Sequence, residues 1–190
     1  MNAKAWQENP RVMEMLERVR NFMEEPAPRR VPSDIWRQAR NPIARFLLVM
    51  AICLGIFEAI MIVATAPPDR QKLLLWAALA AIPVFMALIA YYWLAITRKV
   101  LSTGRLYKGK ILRVSPLPAR INGRWFFSVA VEFDGPGGAK IRGKDTIDNW
   151  SSEYFLMARD SAELVDVIYA PNPIGKALLP MKIALGNRYD

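Results

Sequence analysis

Two apolar runs, residues 46–66 and 73–96, stand only six residues apart, joined by Pro67-Pro-Asp-Arg-Gln-Lys72. A helix rises 1.5 Å per residue, so about 20 apolar residues cross the ~30 Å hydrocarbon core of a bilayer. Both runs reach that length, and six residues permit only an antiparallel return. The spacing predicts a two-helix transmembrane hairpin. Pro83 inside the second run predicts a kink. A soluble alternative with two buried core helices is disfavoured, because both runs are too long and too evenly apolar.

Orientation follows from the cations flanking the runs. Residues 28–45 hold Arg29, Arg30, Arg37, Arg40 and Arg45. Residues 98–124 hold eight basic residues and no acidic one, beginning with Arg98, Lys99, Arg105, Lys108 and Lys110. The connecting turn has only Arg70 and Lys72. Both termini are expected in the cytoplasm, and those cations are expected to meet anionic lipid, at about 1 kcal/mol each near the surface. The partners expected are therefore an anionic bilayer and a protein partner, or a second copy, within it. Trp36, Tyr91, Tyr92 and Trp93 are the expected interface anchors. A bacterial inner membrane is the expected location.

Before the hairpin, Asn9-Pro10 predicts a helix start, an N-cap followed by proline at the first position. Val12, Leu16, Val19 and Met23 recur at spacings of four, three and four, flanked by Met15 and Phe22. This is an amphipathic helix. Its polar face carries Glu14, Glu17, Glu24 and Glu25, so a contact with protein, either its own β-domain or another subunit, is preferred to one with anionic lipid. The segment 26–32 reads as a stiff proline-rich linker. The polar N-terminus does not read as a signal peptide.

From Gly104 the pattern switches to period two. Strands are expected over 107–114, 125–133, 140–147, 164–169 and 176–183, with a turn at Asp134-Gly-Pro-Gly-Gly138 and a short helix or irregular segment at 151–159. The fold class expected is an α+β membrane protein: an N-terminal amphipathic helix and linker (1–42), a transmembrane hairpin (43–97) and a small antiparallel β-barrel, SH3-like or OB-like (98–190).

Residues "TGRLYKGKILRV", "FFSVAVEFDGPGGAKIRG" and "VDVIYAPNPIGKALL" follow the hairpin. In this the chain resembles a broad group of uncharacterised bacterial two-span membrane proteins of the domain-of-unknown-function type. The likeness covers roughly residues 44–183, and 165–173 is its most specific part. It implies a membrane-anchored small β-domain and no activity. The chain departs from the group at Ser161-Ala162-Glu163, where the group has Gly-Asp.

Chemistry is sparse. The chain has no histidine, which removes the commonest general base and metal ligand, and its one cysteine, Cys53, lies in an apolar run. No catalytic, cofactor or metal residue is assigned. Asp145, Asp148 and Glu153 form the only local carboxylate cluster, and solvation at the surface is the expectation for them. Lys140, Arg142 and Lys144 alternate on one strand face near Trp125 and Phe126, which raises nucleic-acid binding as a minor alternative. Glu58, inside the first run, is the informative polar residue: a charged carboxylate there costs roughly 2.5–3.5 kcal/mol on insertion scales. Ala51, Gly55 and Ala59 repeat every fourth residue nearby, a pattern that permits close helix approach. These four residues are expected to pack membrane helices or to meet a partner, unless Glu58 bonds locally, for example to Trp76. The expected function is a non-enzymatic anchoring or accessory subunit. The alternative is a membrane-tethered regulatory or ligand-binding module for lipid headgroups or, less favoured, nucleic acid.

Overall fold

A computed structural model describes residues 9–64, 70–121 and 123–186, apart from the side chains of 70–74, Ala119, Pro136 and Trp150. The chain divides into two compact units, residues 40–95 and the combination of 1–39 with 96–190.

In the first of these, helix α3 (Pro42–Ala64) starts on an asparagine–proline pair. The Asn41 side chain accepts from Ile43 N–H at 2.9 Å, which places the helix start four residues ahead of the apolar run. Helix α4 (Arg70–Thr103) is one continuous helix containing Pro83. Both are long and apolar enough to cross a membrane and are largely exposed. They lie packed together. The interhelical turn expected at 67–72 falls mostly outside the described residues. The buried positions here are Asn41, Ala44, Ala51, Pro83 and Ala90.

The other unit contains α1 (Pro10–Glu24), α2 (Ser33–Ala39) and everything from the end of α4 onward. Its sheet is built from β1 (Arg105–Ile121), β2 (Arg124–Asp134), β3 (Lys140–Asp148), β4 (Leu164–Tyr169) and β5 (Ala177–Leu178) in the order β3-β2-β1-β4-β5. All neighbouring pairs are antiparallel. Helix α5 (Asn149–Asp160) joins β3 to β4, and α6 (Pro180–Gly186) ends the described chain. The long β1 pairs with β4 through its first half and with β2 through its second, with register shifts at 111/113 and 116/120.

The sheet curls into a half-barrel. Its two edges approach at a parallel bridge between Lys144 and Lys176, where Lys144 N–H donates to the Gly175 carbonyl at 2.9 Å. Gly143 makes the approach possible, because a Cβ there would lie 2.6 Å from the Ala177 methyl. Gly104 is equally constrained at the helix-to-strand junction: a Cβ would meet the Val100 carbonyl at 2.2 Å.

Ile111, Val129, Val131, Ile147, Phe155, Val167, Ile168 and Leu178 are buried in one core. The α1 stripe joins the same core: Val12, Met15, Leu16, Val19, Phe22 and Met23 are all buried, and α1 packs on α6. Of the two protein contacts expected for that stripe, the one with its own domain is made. The last expected strand, 176–183, is corrected. Only Ala177–Leu178 is strand, because Pro180 has no N–H to donate to a ladder and opens a helix instead.

Candidate functional site

Three places carry functional side chains. The first is buried in the half-barrel. Along β3, Lys140, Arg142 and Lys144 point outward, so Asp145 sits on the inward face. Its carboxylate accepts four hydrogen bonds. Oδ1 receives Lys176 Nζ at 2.5 Å, Lys182 Nζ at 3.1 Å and Thr146 N–H at 2.7 Å; Oδ2 receives Leu179 N–H at 3.2 Å. Burial alone would push the Asp145 carboxyl up, but the two ammonium groups outweigh it and hold it below the usual carboxylate range. Burial pulls Lys182 below the usual lysine value, helped by the charge of Lys176 and opposed by Asp145. One carboxylate thus ties β3 to the β5–α6 segment through two lysines.

The expected carboxylate cluster is therefore three unrelated groups. Asp145 is buried, which corrects the expectation of surface solvation. Asp148 caps α5, accepting from Ser151 N–H at 2.9 Å and Ser151 Oγ at 2.8 Å. Glu153 is exposed on α5. Among the described residues no group of three or more His, Cys, Asp or Glu is disposed to hold a metal ion.

A second ionic centre binds α1 to the sheet. Asp166 on β4 pairs with Arg20 Nη2 at 2.7 Å and Lys108 Nζ at 2.5 Å. Burial raises the Asp166 carboxyl, yet the two bonded cations hold it below the usual range. Beside it, burial together with Glu163 and Asp166 pushes the Tyr154 hydroxyl up to about 12. These groups rim a cleft of about 280 Å³ floored by Met13, Leu16 and Val165. Arg20 and Lys108 are both engaged by Asp166, and Glu163 adds a second carboxylate to the lining.

The third place is on the helical hairpin. An apolar groove of about 410 Å³ is lined by Ala51, Gly55, Glu58 and Ala59 from α3, and by Ala80, Pro83 and Ala87 from α4. The four residues expected to act together do share one surface. Their packing differs from a tight small-residue seam, however. Only Ala51 is buried, Ala59 is exposed, and a Cβ on Gly55 would find nothing within 4 Å. Glu58 has no ionic or hydrogen-bonded partner among the described residues, and its bond to Trp76 is not made. Cys53 is exposed on the same helix.

The remaining expected residues are dispersed. Trp36 and Trp93 are half-buried, while Tyr91 and Tyr92 are exposed. Among the cations, Lys108 is engaged by Asp166. Arg29 donates to the carbonyls of Glu25, Met23 and Gly104 at 2.7, 3.0 and 2.8 Å. Both work within the domain. Arg37 and Arg45 are exposed and Arg40 is half-buried. Arg30, Arg98, Lys99, Arg105 and Lys110 are exposed with no side-chain ionic partner among the described residues. On β3, Arg142 bonds Glu132 at 3.0 Å, and Lys140 approaches the same carboxylate at 3.9 Å.

Lys176, Lys182 and Arg20 were not singled out by sequence. The available signal was Asp145 itself, a carboxylate at an inward position of an alternating strand. No family model, curated protein or solved structure matches the chain.

Proposed function

We propose that the protein is a non-enzymatic anchoring or accessory subunit of a bacterial inner-membrane assembly. In this reading α3 and α4 span the bilayer, both termini are cytoplasmic, and the β-domain stands at the cytoplasmic face among anionic lipids. The carrying observation is the open groove on the hairpin. Among the described residues, no side chain fills the space left by glycine at position 55, and Glu58 in the same groove has no partner. An unpaired carboxylate facing hydrocarbon is costly, and a small-residue surface admits a second helix closely. A helix carrying a hydrogen-bond donor would satisfy both. The experiment is gentle extraction from native membranes followed by identification of co-purifying chains. Gly55→Ile and Glu58→Leu are each expected to reduce recovery of a stoichiometric partner by about tenfold, the equivalent of one lost interhelical hydrogen bond or close contact. Unchanged association in both variants would sink the proposal.

For the β-domain we infer the OB-like type rather than the SH3-like type. The long central first strand, the helix between the third and fourth strands and the parallel approach of third and fifth support it. Such barrels serve as binding modules, and one observation favours that second reading. The Arg120 guanidinium lies 5.7 Å from the ring centroid of Trp125, which is 48% exposed at the far end of the β1–β2 hairpin. Against a nucleic-acid ligand, Arg142 and Lys140 on β3 are drawn to Glu132. Binding of single-stranded nucleic acid that falls steeply with salt would favour the module over the subunit.

A further inference from the structure

The proline-rich linker brings a second arginine to the end of α4. Arg29 N–H donates to the Ser102 carbonyl at 2.9 Å, and the Arg29 guanidinium donates to the Gly104 carbonyl at 2.8 Å. The last carbonyls of a helix lack partners within it, so the linker is stitched where the helix can accept bonds. Arg30 is thereby held near Arg98, one turn before Ser102. Both side chains line a cavity of about 490 Å³ with Ser33 and Trp36. Neither guanidinium has an ionic or hydrogen-bonded partner among the described residues, and no carboxylate lines the cavity. The nearest acid in sequence, Asp34, is paired with Arg18 at 3.2 Å. Among the described residues the cavity therefore presents two free cations, a hydroxyl and an indole, with no anion.

Its depth follows from α4 alone. Arg98 comes five residues after Trp93, the last of the expected interface anchors on this helix, which is about 7.5 Å of helix. The polar layer on each face of a bilayer is about 5–8 Å thick. Arg98 thus falls at the level of lipid phosphates, and an indole suits the same layer. The planar fork of arginine pairs with phosphate through two parallel hydrogen bonds.

We infer that this cavity binds the phosphate headgroup of an anionic phospholipid. The inference rests on the reading of α3 and α4 as membrane spans. Two arginines suit a headgroup bearing more than one negative charge, so cardiolipin is the probe.

The test places the full chain in nanodiscs of phosphatidylcholine doped with cardiolipin and counts retained lipid by native mass spectrometry. Wild type is expected to retain cardiolipin in preference to phosphatidylcholine. Arg30→Ala with Arg98→Ala should weaken retention roughly 30-fold, about fivefold per charge. Arg11→Ala with Lys144→Ala removes equal charge from α1 and β3 and should leave retention within about twofold, as expected for screened charges outside the cavity. All four residues are exposed, so melting temperatures should match wild type. Equal losses in the two double variants would mean a diffuse field and overturn the site. So would a wild type without preference for cardiolipin. Displacement of cardiolipin by excess inorganic phosphate would make it a soluble-phosphate site and overturn the lipid assignment. If wild type fails to enter phosphatidylcholine discs, the membrane reading falls first and the lipid site with it.

Discussion

Ala162 is the only non-glycine residue with positive φ among the described residues, at 55°. It closes α5: Ala162 N–H donates to the Arg159 carbonyl and Glu163 N–H to the Ala158 carbonyl. That bond pair is a Schellman motif, whose left-handed position favours glycine. Ala162→Gly is therefore expected to stabilise the fold by about 1 kcal/mol, read as a higher melting temperature by intrinsic fluorescence. Asp145 works in the opposite sense. Asp145→Asn leaves two buried ammonium groups without a counter-charge and should cost about 3–5 kcal/mol, whereas Lys182→Met leaves a neutral pair and should cost far less. The pH dependence has a definite sign. Asp145 and Asp166 have folded values below their unfolded ones, so their stabilisation is complete above about pH 4 and fades as pH falls through the folded values. Lys182 is also depressed, so between its folded value and the ordinary lysine value of about 10.4 the unfolded chain holds more protons. There Lys182 makes stability rise with pH, and Lys182→Met should remove that rise. A melting series across pH in detergent checks both signs.

At the scale of elements, periodicity was readable wherever one residue type met one environment. The β2 alternation of Phe127, Val129, Val131 and Phe133 and the α1 stripe follow from burial on one side. The two long apolar helices were readable from the length of their runs. What escaped notice depended on bonds between distant segments. The sequence around 180 alternates like a strand, and only the missing proline N–H turns it into α6. The strand β1 outruns its apolar pattern because β2 pairs with it far beyond β4. In the candidate site, Gly55, Glu58 and their neighbours were legible from helical spacing, since one helix carries them. The lysines on Asp145 were not, because 31 and 37 residues separate them from it. Arg29 is a further case: it reads as one basic residue in a belt, yet it fastens the linker to α4. Arg29→Ala removes hydrogen bonds to Gly104, Glu25 and Met23 carbonyls. It should cost about 2–3 kcal/mol at roughly 1 kcal/mol per bond and speed proteolysis within 26–32. Unchanged cleavage there would show that the stitch does not hold the linker.

Across the whole molecule, segments on both sides of the hairpin share one core. Val19 is fully buried among residues contributed from both ends of the chain. Val19→Asp would bury an unpaired carboxylate and should cost at least about 3 kcal/mol. It should loosen the entire β-domain, measurable as amide exchange in β4 and α6 as well as in α1. Protection lost in α1 alone would show that the N-terminal helix is an appendage. The same arrangement has a consequence during synthesis. Helix α1 leaves the ribosome before its partner α6, which begins 156 residues after α1 ends, from Glu24 to Pro180. At 5–20 residues per second, α1 waits on the order of 10–30 s with its apolar stripe uncovered. Both apolar helices emerge within that interval. If α3 and α4 enter a bilayer as proposed, the order of manufacture sets a newborn chain the task of keeping one sticky helix out of it while its neighbours enter, and the glutamates on the polar face of α1 are suited to that task.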